Sequence, residues 1–253
     1  MDEPSFYRIA LWGLLALSPC IATLLFFVSA PYGRHARAGW GPAIPSKAAW
    51  FLMELPAVVT IAVCWAVGDR RFEPVSLVLL GIWELHYLNR TFVYPFRRRG
   101  EGRPMPISVA GMALLFNVWN GYLNGRWLFS LGPRREIEWL WDPRFIVGAA
   151  VFLVGFAINQ HSDTLLLRLR RPGEGGYRVP RGGLFSLVTM PNYLGELIEW
   201  IGWAVATWSP AGAVFAVFTA ANLVPRAWTN RRWYRERFED YPPERKAIIP
   251  FVF

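Results

Sequence analysis

Apolar blocks of roughly twenty residues, each long enough as a helix to cross about 30 Å of hydrocarbon, run the length of this chain and carry acidic and amide side chains at helical spacing. Glu54, Glu84, Asn159, Asp163, Asn192, Glu196 and Glu199 are the residues concerned. A carboxylate at bilayer depth costs on the order of several kcal/mol unless it faces a partner or a wet cavity. The expectation is therefore a polar site inside a membrane domain. The plainer alternative is interhelical hydrogen bonding that only holds helices together.

Composition agrees with a membrane chain. Of 253 residues, 54% are hydrophobic, yet the formal charge is +9 because arginines gather between the apolar blocks. Such flanking clusters suit anionic headgroups or a phosphorylated cofactor; no nucleic-acid motif accompanies them, so no nucleic-acid partner is expected. Cys20 and Cys64 each fall inside an apolar block, which suggests neither a disulfide framework nor a thiolate metal site. The first block follows an N-terminus diluted by Asp2 and Glu3 and is too long for a typical cleavable signal, so it is expected to remain as a helix.

The predicted fold is all-α, a polytopic integral membrane protein with seven transmembrane helices near 6–29, 48–68, 74–95, 106–128, 144–168, 184–208 and 210–229. Long helical spans with short connections exclude a transmembrane barrel. Basic residues cluster in alternate loops: Arg34, Arg37 and Lys47; then Arg97, Arg98, Arg99 and Arg103; then Arg170, Arg171, Arg178 and Arg181. Six more lie between Arg231 and Lys246, so these segments are assigned to the cytoplasm, with the N-terminus out and the C-terminus in. One membrane domain, 1–253, is expected, with helices 1–4 (1–128) facing substrate and helices 5–7 with the tail (129–253) holding cofactor.

Polar stripes recur on the last three spans. Asn159, Asp163 and Arg170 are separated by four and seven residues, Asn192, Glu196 and Glu199 by four and three, and Arg226, Asn230 and Tyr234 by four and four. At 3.6 residues per turn each set shares one helix face. Arg170, Arg178 and Arg226 suit phosphates, while the amides and carboxylates suit ribose hydroxyls and a carboxamide. This reads as a nucleotide site built from helices; the plainer alternative pairs Glu196 with Arg226. The loop from Arg171 to Gly183 mixes arginine with glycine but is no GxGxxG turn. Earlier in the chain, Glu54 precedes Pro56, and Tyr87 lies in Glu84-Leu-His-Tyr-Leu-Asn-Arg. A carboxylic acid in apolar surroundings and a phenol can together polarise one carbonyl; singly, each reads equally as a helix pin and an interfacial tyrosine. His35, His86 and His161 lack metal-ligand spacing, and no GxSxG elbow occurs, so neither a catalytic metal nor hydrolysis is expected.

Asn159-Gln-His-Ser-Asp163, Tyr177-Arg-Val-Pro-Arg-Gly-Gly-Leu-Phe, Asn192-Tyr-Leu-Gly-Glu196-Leu-Ile-Glu-Trp, Phe238-Glu-Asp-Tyr-Pro and Arg245-Lys-Ala-Ile-Ile-Pro-Phe together resemble the membrane steroid 5α-reductases. Phe51-Leu-Met-Glu54-Leu-Pro and His86-Tyr87-Leu-Asn-Arg90-Thr-Phe-Val-Tyr extend that similarity over most of the chain. The resemblance implies NADPH-dependent reduction of the C4=C5 bond of a 3-oxo-Δ4 steroid, or a similar lipophilic enone, with Glu54 and Tyr87 on the 3-keto oxygen. It implies cofactor contacts from Arg103, Asn120, Asn159, Asp163, Arg170, Tyr177, Arg178, Asn192, Glu196, Arg226, Asn230 and Tyr234. It calls for no obligate protein partner and fits a bacterial inner membrane or an endoplasmic reticulum equally. Two rivals share the polar stripes: a membrane methyltransferase of the isoprenylcysteine type using S-adenosylmethionine, and a transporter or lipid-binding protein. Dense arginine favours the more highly phosphorylated cofactor.

Overall fold

The computed structural model describes residues 1–98, 103–169 and 176–253. Arg170, Arg171 and the glycines Gly173 and Gly175 of the expected phosphate-binding loop lie outside the described residues.

Seven long helical segments account for most of the described chain. They are α1 (Glu3–Phe27), α2 (Ser46–Val67), α3 (Pro74–Leu88) continued by the short α4 (Tyr94–Arg97), α5 (Ile107–Arg126), α6 (Pro143–Arg168), α7 (Pro191–Thr207) and α8 (Pro210–Arg237). Proline sits in the first turn of α1, α3, α6, α7 and α8, where its missing N–H has no helical partner to lose. Asp142 caps α6 by accepting from the Arg144 amide at 2.8 Å, and the Arg144 guanidinium gripping the same carboxylate holds its pKa down at about 2. Three helices, Glu3–Phe27, Ser46–Val67 and Pro143–Arg168, are long and apolar enough to cross a membrane by length and composition. The protein is an all-helical membrane protein.

Three boundaries differ from the sequence expectation. The sixth span was expected from residue 184, yet Gly183–Ser186 forms a single 3-10 turn and α7 begins only at Pro191. Residues 187–190 instead pair with the C-terminal tail: Thr189 and Met190 amides donate to the Lys246 and Ala247 carbonyls, and the Lys246 amide donates to Leu187. A short apolar run before proline satisfies a strand-like partner as well as a helix, and periodicity cannot separate the two. At the other end, α8 outruns the expected stop at 229 by two turns, because its arginine-rich end is helical although not greasy. The third span does not run as one regular helix: between Leu88 and Tyr94 it widens into a π-type turn at Asn89–Val93, a local bulge that rotates the side chains beyond it.

Among the described residues α6 and α7 share the most extensive helix–helix contact, and glycine is the reason. A methyl placed on Gly155 would stand 2.3 Å from the Glu199 amide nitrogen, one on Gly202 2.3 Å from that of Phe152, and one on Gly148 2.2 Å from that of Ala206. Small residues seven apart on each helix let the backbones touch along two turns, which lipid-embedded helices use in place of a hydrophobic driving force. The two-residue link Trp208–Ser209 then reverses the chain into α8; Trp208 takes a left-handed φ of 41°, and Ser209 accepts from the Gly212 amide at 2.9 Å.

Aromatic packing fills the centre. Trp83 of α3 meets Tyr87, Trp200, Trp203 and Phe215 at ring separations of 4.8–5.7 Å, and its indole N–H donates to the Ala57 carbonyl of α2. The helix α1 packs against α5 and α8, locked at its start where Glu3 takes two hydrogen bonds from Arg126 at 2.6 and 2.8 Å. A two-residue antiparallel pair, Ala43–Ile44 with Met105–Pro106, joins the approach to α2 with the approach to α5.

Candidate active site

The π-type turn after α3 places Arg90 where three helices converge. Its Nη1 donates to Asp163 Oδ2 of α6 at 3.4 Å, its Nη2 lies 3.8 Å from Glu54 Oε1 of α2, and the guanidinium rests over the rings of Trp50 and Tyr94 at 4.9 and 4.8 Å. Asp163 in turn accepts from Asn192 Nδ2 of α7 at 3.1 Å, and Asn159 Nδ2 donates to the Asn192 carbonyl at 3.0 Å. Asn159 and Asp163 are each 1% exposed, so the α6 stripe read from the sequence faces inward as a buried network. Glu196, half-buried, is within electrostatic reach of Arg90, Glu54 and Asp163.

Glu54 is buried as expected, although its surroundings are not wholly apolar. A guanidinium stands beside the carboxyl, and Asn117, which donates to the Met53 carbonyl at 2.6 Å, flanks it. Tyr87 is buried one helical turn before Arg90, with its ring 4.8 Å from Trp83 and 5.5 Å from Trp200 and its phenol beside Asn120. Apart from that phenol, the buried Asn120 Nδ2 donor has no partner among the described residues, and the buried Asn192 Oδ1 acceptor has none. Buried amide atoms left unsatisfied in this way suit a ligand carbonyl or amide as their partner.

His86 and Glu199 form the pair that sequence reasoning did not join. His86 Nδ1 lies 2.8 Å from Glu199 Oε1, with the side chains 3% and 0% exposed, and the imidazole packs edge-on against Tyr87 at 4.9 Å. Replacing Glu199 by alanine leaves that imidazole buried without its acceptor and is expected to cost about 3 kcal/mol, read as lowered thermal stability in detergent. Glu199→Gln, which keeps a hydrogen-bonding oxygen, should retain most of that stability. Glu84 stands apart from the cluster, with Oε2 buried and unpartnered among the described residues.

The α8 stripe is covered by the loop between α1 and α2. Arg226 donates to Asn222 at 2.8 Å, to the Tyr193 hydroxyl at 3.0 Å and to the Tyr32 hydroxyl, rather than pairing with Glu196 as the plainer sequence reading had it. Asn230 Oδ1 lies 3.1 Å from His35 Nε2, and the Arg34 guanidinium sits 4.6 Å over the Tyr234 ring and 5.4 Å over that of Tyr177. Arg103 and Arg178 are exposed. Of the residues that sequence reasoning passed over, Arg90 carried a legible signal, an arginine within an apolar block; Tyr32, Arg34 and His35 carried none, because nothing local tells which helix a loop will cross.

The chain that carries this constellation has relatives of known name. The family model described as 3-oxo-5-alpha-steroid 4-dehydrogenase matches residues 103–253. "Steroid 5-alpha-reductase DET2" of Gossypium hirsutum is 47% identical over 90% of each chain. The chain belongs to the steroid 5-alpha-reductase family. The Arabidopsis thaliana protein of the same name is 43% identical over 99% of this chain and 98% of its own, and "3-oxo-5-alpha-steroid 4-dehydrogenase 1" of Bos taurus is 44% identical over 94% and 93%. This member of the family is an oxidoreductase, and membership implies a nicotinamide cofactor. The buried amides, hydroxyls and arginines of α5 to α8 suit such a group, which carries phosphates, ribose hydroxyls and a carboxamide.

Proposed function

We propose that the enzyme reduces the C4=C5 double bond of 3-oxo-Δ4 steroids with NADPH, giving 5α-reduced 3-oxo steroids. The observation that carries this reading is the convergence of Glu54, Tyr87 and the Asn120 side-chain N–H on one buried interior that continues into the α6–α8 network. NADPH, when bound, would supply the hydride that C5 receives, and a proton taken up at C4 completes the reduction. Tyr87 and Glu54 donate hydrogen bonds to the 3-keto oxygen, so that negative charge developing there as the alkene is reduced meets fixed donors rather than lipid. Arg90, between Glu54 and Asp163, keeps the Glu54 carboxyl in place. Asn159, Asp163, Asn192 and Glu196 hold the nicotinamide half, with Arg226, Asn230, Tyr234, Tyr177, Arg178 and Arg170 toward the phosphates and Asn120 and Arg103 as outlying contacts. Packed aromatics around Trp83 and Trp200 exclude water from the oxyanion and orient the two partners.

The same reading sets the protein in its membrane with seven crossing helices, α1, α2, α3 with α4, α5, α6, α7 and α8, the N-terminus outside and the C-terminus in the cytoplasm. Helices 1–4 (1–128) form the substrate half and helices 5–7 with the tail (129–253) the cofactor half. A steroid partitions into lipid and NADPH stays in water, so the site must open to both. Purified protein incubated with NADPH and progesterone or testosterone is expected to yield a product heavier by two hydrogens, seen by mass spectrometry as a saturated-ring 3-ketone. Persistence of the enone under turnover conditions, with NADPH unspent, sinks the proposal.

A further inference from the structure

The loop between α1 and α2 turns once at Gly33–His35 and is pinned to α8 on both sides of Arg34: the Tyr32 hydroxyl accepts from Arg226, and His35 meets Asn230 at 3.1 Å. Between these anchors the Arg34 guanidinium lies in an aromatic bay, 4.6 Å from the Tyr234 ring centre, 5.2 Å from Trp233 and 5.4 Å from Tyr177. Its Nη1 is buried with no hydrogen-bond partner, and no ion pair among the described residues includes Arg34. A planar cation held over aromatic rings, with a buried donor left over and no carboxylate paired with it among the described residues, is short of an anion.

Position along α8 says which anion. Arg226 is within electrostatic reach of Arg90 and Glu196, at the reacting end of the site. Tyr234 lies eight residues further along the helix, about 12 Å at 1.5 Å per residue. A dinucleotide with its nicotinamide near Tyr87 has to place its adenosine remote from there, and the bay offers flat rings for a base and a planar fork for a phosphate monoester. The pyrophosphate falls between the two ends, nearer Arg226.

Resting on the NADPH reading above, we propose that Arg34, held over Tyr177, Trp233 and Tyr234, binds the 2′-phosphate of the cofactor's adenosine and so selects the phosphorylated dinucleotide over its unphosphorylated counterpart. The arginine acts by charge and by shape. Its stacked plane is already ordered, which lessens the entropy lost when its N–H groups meet phosphate oxygens.

The test uses fragments of the cofactor on the full-length protein in detergent. Calorimetric titration with 2′,5′-ADP and with 5′-AMP is expected to show the wild type binding the former about ten- to a hundred-fold more tightly, the range for hydrogen bonds to a charged group. Arg34→Gln should bring that ratio close to one by weakening 2′,5′-ADP while leaving 5′-AMP nearly as it was. Arg37→Gln, a charge change in the same loop where the side chain lies over Trp40, should keep the wild-type ratio. An unchanged ratio in Arg34→Gln, an equal loss for both nucleotides, or a wild type without preference overturns the assignment. The reaction and the selectivity fail separately: a preference for 2′,5′-ADP that vanishes in Arg34→Gln stands even if no enone is reduced, and steroid reduction stands even if the two nucleotides bind alike.

Discussion

Tyr87→Phe and Glu54→Gln are each expected to lower kcat for enone reduction by about a hundred- to a thousand-fold, the usual loss when one donor to a developing oxyanion is removed. NADPH affinity should change little, because neither residue belongs to the helices assigned to the cofactor. The Tyr87 variant is the cleaner of the two. Its ring keeps every contact with Trp83, His86 and Trp200, and only the phenol oxygen beside Asn120 is lost. Glu54→Gln retains an N–H donor but a much poorer one, and it also replaces the acid that stands 3.8 Å from Arg90. Stopped-flow measurement of NADPH oxidation, beside a cofactor titration, separates the two quantities. Wild-type turnover in both variants would show that the 3-keto oxygen is polarised elsewhere.

A second large effect is expected from a single methyl group. Gly155→Ala or Gly202→Ala should destabilise the protein by about 3 kcal/mol or more, at the upper end for overpacked sites, read as a loss of thermal stability in detergent. The reason is geometric. The added carbon at either position would stand 2.3 Å from a backbone amide nitrogen of the facing helix, and backbone cannot rotate aside as a side chain can. Separation of α6 from α7 would also part Asn159 from the Asn192 carbonyl and Asp163 from Asn192, so activity should fall with stability. Gly81→Ala is the matched control. That glycine faces outward with nothing within 4 Å, and a helical alanine there should be neutral or stabilising. If Gly155→Ala is as stable as Gly81→Ala, the close α6–α7 contact does not hold the pair together.

How much of this was legible beforehand follows from what each residue depends on. The stripes Asn159–Asp163, Asn192–Glu196–Glu199 and Arg226–Asn230–Tyr234 could be read because spacing at 3.6 per turn decides a helix face whatever the helix packs against. Partners were another matter. Glu199 shares a helix face with Asn192 but bonds His86, 113 positions away, and Arg226 turns to Tyr32 and Tyr193 rather than to Glu196. The start of α7 was misplaced because residues 187–190 find their backbone partners in the tail at 246–247, a pairing with no local trace.

The run of residues alone determined that the chain is helical, that it belongs in lipid and that its polar groups line helix faces; these depend on composition and period, which are properties of short stretches. Folding in three dimensions decided that Arg90 would stand between Glu54 and Asp163, that His86 would meet Glu199, and that the α1–α2 loop would lay Arg34 over the end of α8. Each of those contacts joins elements far apart in the chain, and it exists only because helix packing, set by where glycine lets backbones touch, brings their faces together.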